Sequence, residues 1–494
     1  MMMIHHHDDQ TPGITILGLG PGNGSHLTRQ AWEWLQGCRE MYCRTRQHPA
    51  MADLPEMLQV FSFDSLYEQE ESFEAVYAHI VREVLALGQR PGGVTYAVPG
   101  HPYVAEATSP EIVRQARAAG IPVKVIDGMS FLEPTFSALE LDPYPALSLV
   151  DALTLGNSHT PAFPPDQPAL IAQIYSQIVA AEVKMTLLSV YPDEHPVRLV
   201  HAAGTPEEKV EALALYEIDR SQHLGLLSSL YVPPLEPGTS FEAFHEIIAR
   251  LRAPDGCPWD REQTHASLRK HLLEETYEAI DALDQEDMPA LAEELGDILL
   301  QIGLHAQIGT EDGEFNLYDV VKGINAKLVR RHPHVFGDWK VDGVSTVLQN
   351  WEKLKEAERE ANGVAGTKGL LDGVARALPA LAQSQEIQAR AARVGFDWDT
   401  IDPVWDKVRE ELEEVVQAGN AEERASELGD LLFAVVNLAR WYQVDSESAL
   451  TATNRRFRNR FSYIEKRARE KGTPLSELSL AEMDVWWEEA KKKE

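Results

Sequence analysis

The chain has 494 residues, 44% of them hydrophobic, with 78 acidic against 45 basic side chains and a formal net charge of −33. Such a length suggests roughly two to four domains, and the composition is that of an ordinary soluble globular protein. So acidic a chain argues against general nucleic-acid binding through a basic surface, while leaving room for a local nucleotide site built from a few placed cations and a metal.

Residues 1–12 open with His5, His6 and His7 and lack the apolar core of a signal peptide, so a disordered tail is expected there. No apolar run is long enough to span a bilayer, which argues against a membrane partner. Cys38, Cys43 and Cys257 form no Cys-x-x-Cys and no disulfide framework, and this fits a reducing cytoplasm.

Residues 13–237 read as α/β. Ile14 to Leu17 is a short strand running into Gly18-Leu19-Gly20-Pro21-Gly22, after which Leu27 to Leu35 is helical. A helix from Phe73 to Leu87 precedes a strand Val94 to Val98 that ends in Pro99-Gly100-His101-Pro102. A helix near Glu111 to Ala119 then leads to a strand Val123 to Ile126 ending in Asp127-Gly128-Met129-Ser130. Crevices outside the carboxyl ends of strands are where open α/β sheets bind ligands. Further on, Ala169 to Ala181 reads as helix, Val183 to Val190 as strand and Glu207 to Asp219 as helix. The proline-rich run Pro233-Pro234-Leu235-Glu236-Pro237-Gly238 marks the end of this half.

These three glycine-containing loops, with Leu27-Thr28 after the first and Gly120-Ile121-Pro122 before the third, resemble the tetrapyrrole (corrin/porphyrin) methylase family over about residues 13–235. The resemblance implies two α/β subdomains with S-adenosylmethionine in the cleft between them. The cofactor would be held largely through backbone at Gly20, Gly22, Gly100, His101, Val104, Met129 and Ser130, beside a small-molecule methyl acceptor. Many members have Asp where this chain has Asn23 and His101. An α/β module retained for assembly is the other reading of the same residues.

From Phe241 onward the pattern is helical and repeats one design, over residues 238–362 and again over 363–494. Glu274-Glu275-x-x-Glu278 is followed by Glu294-Leu295-Gly296-Asp297, and Glu410-Glu411-x-x-Glu414 by Glu427-Leu428-Gly429-Asp430. Residues three apart are neighbours on a helix, so each motif puts a carboxylate pair beside an apolar stripe. Leu272, Ala279, Ile280 and Leu283 form one stripe; Leu291, Ile298, Leu299 and Ile302 form its partner. In the second copy, Leu412 and Val415 match Leu431, Leu432 and Val435.

Two helices packed through such stripes would gather four acids, and acids that close repel unless a cation sits among them. All-oxygen ligation suits Mg²⁺ or Mn²⁺. A di-iron site would want Glu-x-x-His pairs, which neither copy has. Glutamate-rich helices are most often simply solvated faces. Recurrence favours a site, because cations follow each copy at matched spacing. Lys327 and Arg331, then Trp351 and Lys355, follow the first; Arg456 and Arg460, then Trp487 and Lys491, follow the second. The cations suit phosphates, and the tryptophans suit either base stacking or core packing.

With Cys257 to Thr264, Arg330 to Phe336 and Ala391 to Trp398 beside them, these motifs closely resemble the MazG nucleoside triphosphate pyrophosphohydrolases over about residues 240–494. The order of the two halves resembles the YabN-type fusion. The resemblance implies Mg²⁺-dependent hydrolysis of a nucleoside triphosphate to the monophosphate and pyrophosphate, in a homodimer. It carries the metal ligands onto Glu275, Glu278, Glu294 and Asp297 and onto Glu411, Glu414, Glu427 and Asp430. One glutamate off the metal would orient the attacking water. Lys327, Arg331 and Lys355, or Arg456, Arg460 and Lys491, would lie on the phosphate side. Both copies keep four acids, so either is a candidate for catalysis. Residues 363–369 are the expected joint between copies, with a helix over 370–392 interrupted at Pro379.

Overall fold

The computed structural model describes residues 11–493 apart from 345, 348–349, 352–353 and 355–368. Lys355 and most of the expected joint therefore lie outside the described residues, as do positions 1–10 of the expected tail. The chain divides into two compact units, Met1–Arg261 and Glu262–Glu494.

The first unit holds two five-stranded sheets. β1 (Ile14–Gly18) and β4 (Val94–Val98) are buried along their whole length and pair in parallel, Leu17 opposite Ala97. β5 (Val123–Ile126) flanks β1; β2 (Glu40–Cys43) and β3 (Gln59–Ser62) extend the other side, giving the parallel order β3-β2-β4-β1-β5. Continuous apolar runs are what a sheet covered on both faces requires. The helix Phe73–Gly88 supplies Val76, Ile80, Val81 and Val84 to one of those covers, and its Ser72 side chain caps it by accepting from Ala75 N.

The second sheet has the order β6-β7-β10-β8-β9, from β6 (Ser148–Asp151), β7 (Ala169–Ala172), β8 (Pro196–His201), β9 (Lys209–Ala214) and β10 (Ser228–Val232). Three sequence expectations are corrected here. Residues 169–172 are a fully buried strand, because a short apolar run does not by itself separate strand from helix. Val183 lies in a helix, Gln177–Leu187, started by the Ser176 cap and rich in alanine and long straight side chains. Residues 209–214 are an edge strand paired antiparallel with β8, because sheet pairing outweighs a glutamate-rich local preference. A 3₁₀ helix, Leu215–Arg220, follows.

The second unit is helical. His265–Asp284 packs against Met288–Asp312, and Asp402–Gln417 against Ala421–Trp441. Their starts obey ordinary capping chemistry. Thr264 and Ser267 form a capping box, Asp287 accepts from Ala290 N, and Asn420 accepts from Glu422 N and Glu423 N. Gly313, at φ 71°, ends the second helix in the left-handed region where a Cβ is disfavoured. The connecting helix Ala380–Arg393 begins directly after Pro379.

Candidate functional site

The first acid group draws on both helices of its pair. One carboxylate oxygen each from Glu275, Glu278 and Glu294 lies within 4.8 Å of the others, and Glu411, Glu414 and Glu427 repeat the arrangement in the second copy. Glu411 is buried; Glu275, Glu294 and Glu427 are half-buried, and Glu278 and Glu414 are exposed. The structure thus gathers three of each set of four. Asp297 stands just outside its trio, close enough to act on it, whereas Asp430 is exposed and outside the second.

Electrostatics mark these places as strained without a cation. Burial, then Asp297, Glu278 and Glu294, pushes the Glu275 carboxyl above the usual carboxylate range. Glu294 is raised by burial, then by Glu278 and Asp297; Glu414 is raised by burial, then by Glu411 and Glu427. Three converging carboxylates offering only oxygen fit a hard divalent ion such as Mg²⁺ or Mn²⁺.

The expected phosphate-side residues sit on other helices. Lys327 and Arg331 are on Leu317–Arg331, with the Arg331 guanidinium 5.9 Å from the centre of the Trp351 ring. Arg456 and Arg460 are on Ser446–Lys471, and Lys491 closes Leu480–Lys491. Arg460 lies 5.4 Å from the Trp487 ring centre, and Phe457 packs on that ring at 5.0 Å. Arg456 donates to Thr453 Oγ1 at 2.8 Å, and Lys491 pairs with Glu488 at 2.8 Å. Both tryptophans are half-buried, and each has a guanidinium over its ring.

Sequence reasoning missed Lys407. Its Nζ lies 2.7 Å from Glu411 and 3.0 Å from Glu410. The signal was present as a lysine one helical turn before an acid, a pattern that usually marks an ordinary surface pair.

In the α/β unit the three glycine loops meet backbone to backbone at the carboxyl ends of β1, β4 and β5. Gly20 and Gly100 form an isolated bridge. A Cβ on Gly18 would come within 2.5 Å of the Gly100 carbonyl oxygen and 2.6 Å of Gly128 N. Gly22 is buried against His26 and Gly204. His101 accepts from Tyr103 N at Nδ1, accepts from Val104 N at its carbonyl, and has Nε2 3.6 Å from Asp127 Oδ1. Met129 is half-buried, and Ser130 is buried with both its N–H and hydroxyl donating to Glu133. A pair unforeseen in sequence, half-buried Arg44 with buried Glu106, ties the end of β2 to the loop after β4; Glu106 also accepts from Thr108 N at 2.8 Å.

Residues 263–336 match the MazG nucleotide pyrophosphohydrolase domain, and residues 13–219 match the tetrapyrrole (corrin/porphyrin) methylases. Over 490 residues, 97% of this chain and 99% of the relative, the sequence is 44% identical to the uncharacterized protein YabN of Bacillus subtilis (strain 168). The nucleoside triphosphate pyrophosphohydrolase/pyrophosphatase MazG of Thermotoga maritima is 43% identical over 256 residues, 52% of this chain and 97% of that protein. The nucleoside triphosphate pyrophosphohydrolase of Escherichia coli (strain K12) is 43% identical over 254 residues, 50% of this chain and 95% of that protein.

Fold and site together define a two-part enzyme, an α/β methylase-type domain followed by a helical, acid-bearing domain of the nucleotide pyrophosphohydrolase kind. The chain belongs to the YabN-type family, in which a tetrapyrrole methylase domain precedes a MazG region.

Proposed function

We propose that the helical half hydrolyses a nucleoside triphosphate to its monophosphate and pyrophosphate with Mg²⁺ or Mn²⁺, working as a homodimer in the cytoplasm. The observation that carries this reading is the convergence of three carboxylates from two helices, twice, within a chain of the MazG family. Glu275, Glu278 and Glu294, and Glu411, Glu414 and Glu427, would hold the metal, with Asp297 as a flanking fourth acid in the first copy and Asp430 exposed outside the second trio. Bound metal would neutralise phosphate charge and lower the pKa of the attacking water.

The rest falls to the chain's own side chains. A glutamate left off the metal orients the water by accepting its proton. Lys327 and Arg331, or Arg456, Arg460 and Lys491, offset charge on the departing pyrophosphate. Arg460 and Arg331 already lie over tryptophan rings, so a base that stacks on Trp487 or Trp351 must share or displace that guanidinium.

Incubation with a panel of nucleoside triphosphates and Mg²⁺, with pyrophosphate and monophosphate both quantified, tests the proposal. Glu427→Gln is expected to lower turnover by more than about tenfold, the size of losing a metal ligand. Unchanged turnover moves the catalytic assignment to the first copy, and a panel without pyrophosphate from any substrate sinks the reading.

A second reading concerns the α/β half, which we propose binds S-adenosylmethionine against Gly20, Gly22, Gly100, His101, Val104, Met129 and Ser130 and methylates a small molecule. In its strong form the helical half would then sense nucleotides without turnover. The open space at Gly100, where a Cβ would meet nothing nearer than the Met129 carbonyl oxygen at 4.0 Å, favours a ligand approaching main-chain groups at these loops. Titration with S-adenosylmethionine followed by calorimetry tests it, and absence of heat at millimolar cofactor would end it.

A further inference from the structure

Among the described residues, the two acid trios differ by one resident charge. In the second copy the Lys407 ammonium lies 2.7 Å from Glu411 and 3.0 Å from Glu410, and the Glu411 side chain is only 7% exposed. Four residues before Glu275, at the matching place in the first copy, stands His271. Its Nδ1 is 3.4 Å from Glu274, an acid beside the trio rather than within it. Lysine carries its charge throughout the neutral range, and the matching place in the first copy holds an imidazole instead.

A charge as buried as Glu411 needs a partner, and an ammonium at 2.7 Å supplies one. A divalent cation drawn to the same carboxylate meets a second positive charge at that place. At Glu275 the acids Asp297, Glu278, Glu294 and Glu274 all act in the same direction, and among the described residues no basic side chain pairs with the first trio.

We infer that Lys407 is a built-in counter-ion that competes with a divalent cation for Glu411, so that in substrate-free protein the first trio holds the metal more tightly than the second. This rests on the reading of the trios as metal sites. Its consequence is an order of filling: the first copy is charged with metal at concentrations where the second is still closed by its own lysine.

Titration of the full chain with Mn²⁺, without nucleotide and followed by the electron paramagnetic resonance signal of free Mn²⁺, measures this directly. Two classes of site are expected, with Glu278→Gln removing the tighter and Glu414→Gln the weaker. Lys407→Gln should tighten the weaker class by about five- to tenfold, the size of losing one partly buried competing ion pair, and leave the tighter class in place. His271→Lys, which transplants the ammonium, should weaken the tighter class to a similar extent. Lys407 is 37% exposed on a helix surface and glutamine keeps helix propensity, so the variant retains its fold, which circular dichroism checks.

A weaker class unmoved by Lys407→Gln, or a tighter class unmoved by His271→Lys, overturns the inference while the metal reading stands. Mn²⁺ binding that survives both Glu278→Gln and Glu414→Gln overturns the metal reading itself.

Discussion

At the scale of single residues, repulsion among acids governs the metal-free protein. Glu275, Glu294 and Glu414 all have carboxyl pKa values raised by burial and by neighbouring acids. A carboxyl whose folded pKa exceeds its unfolded value binds more protons when folded. Its penalty is therefore present at neutral pH and is relieved as pH falls through the folded value toward the unfolded one. Glu111 and Glu482, held at about 2 by Arg114 and by Lys471, act in the opposite sense, but only below the ordinary carboxylate range.

His48, His201 and His305, whose imidazoles burial holds below their ordinary value, lose stability as pH falls below the ordinary histidine range and oppose this. Thermal unfolding in a chelator should therefore show the wild type gaining more, or losing less, than Glu275→Gln as pH drops from 7 toward 5, and Mg²⁺ should narrow that difference; identical pH profiles for the two would refute the idea. At fixed neutral pH, Glu275→Gln should raise metal-free stability by about 0.2–0.5 kcal/mol, the size of a like-charge pair on a helix, while Mn²⁺ affinity falls. The acid pairs themselves are legible in sequence because three-residue spacing is local. That Asp430 falls outside its trio is not legible, since it depends on how two helices rotate against each other.

At the scale of elements, what local pattern specifies and what pairing specifies separate cleanly. β1, β4 and β5 are apolar runs bounded by glycine loops, and sequence locates each to within a residue. Residues 169–172 and 209–214 become strands because β10 and β8 are there to pair with them, information held tens of residues away. The Arg44–Glu106 pair, 62 residues apart in the chain, is hidden for the same reason. The meeting of three loops at Gly18 sets a sharp test. An alanine methyl there would lie 2.5 Å from the Gly100 carbonyl oxygen and 2.6 Å from Gly128 N, both backbone atoms that cannot swing aside. Gly18→Ala is expected to destabilise the α/β unit by about 1–3 kcal/mol, as overpacking does. It should also abolish S-adenosylmethionine binding while leaving pyrophosphate release from the helical unit intact. Melting and titration read the first pair of effects and the nucleotide panel reads the last.

At the scale of the whole molecule, the helical half leaves apolar side chains uncovered within one chain. Leu283, Leu295, Leu412 and Leu432 are each more than half exposed, and Phe433 and Val435 are 43% and 44% exposed. The stripes expected to close each helix pair thus close only in part: Ala279 is buried, Leu272, Leu291, Ile298, Leu299, Val415 and Leu431 are half-buried, and Ile280, Leu283, Ile302, Leu412, Leu432 and Val435 are exposed. Burying one such leucine is worth roughly 1.5–3 kcal/mol, and a stable interface covers about 800 Å² on each partner. A few leucines and a phenylalanine shared between two copies are of that order. A net charge of −33 opposes association at low salt, so an apolar contact of this kind would have to outweigh it for two copies to pair. Sedimentation equilibrium is expected to give twice the chain mass. Leu432→Glu should shift it to the single-chain mass with helical content retained, because the side chain it replaces is exposed in one copy and, in the proposed dimer, would pack against the other. A wild-type chain that sediments as a monomer at micromolar concentration would show that these leucines face water in solution, and the dimeric part of the proposed function would fall with it.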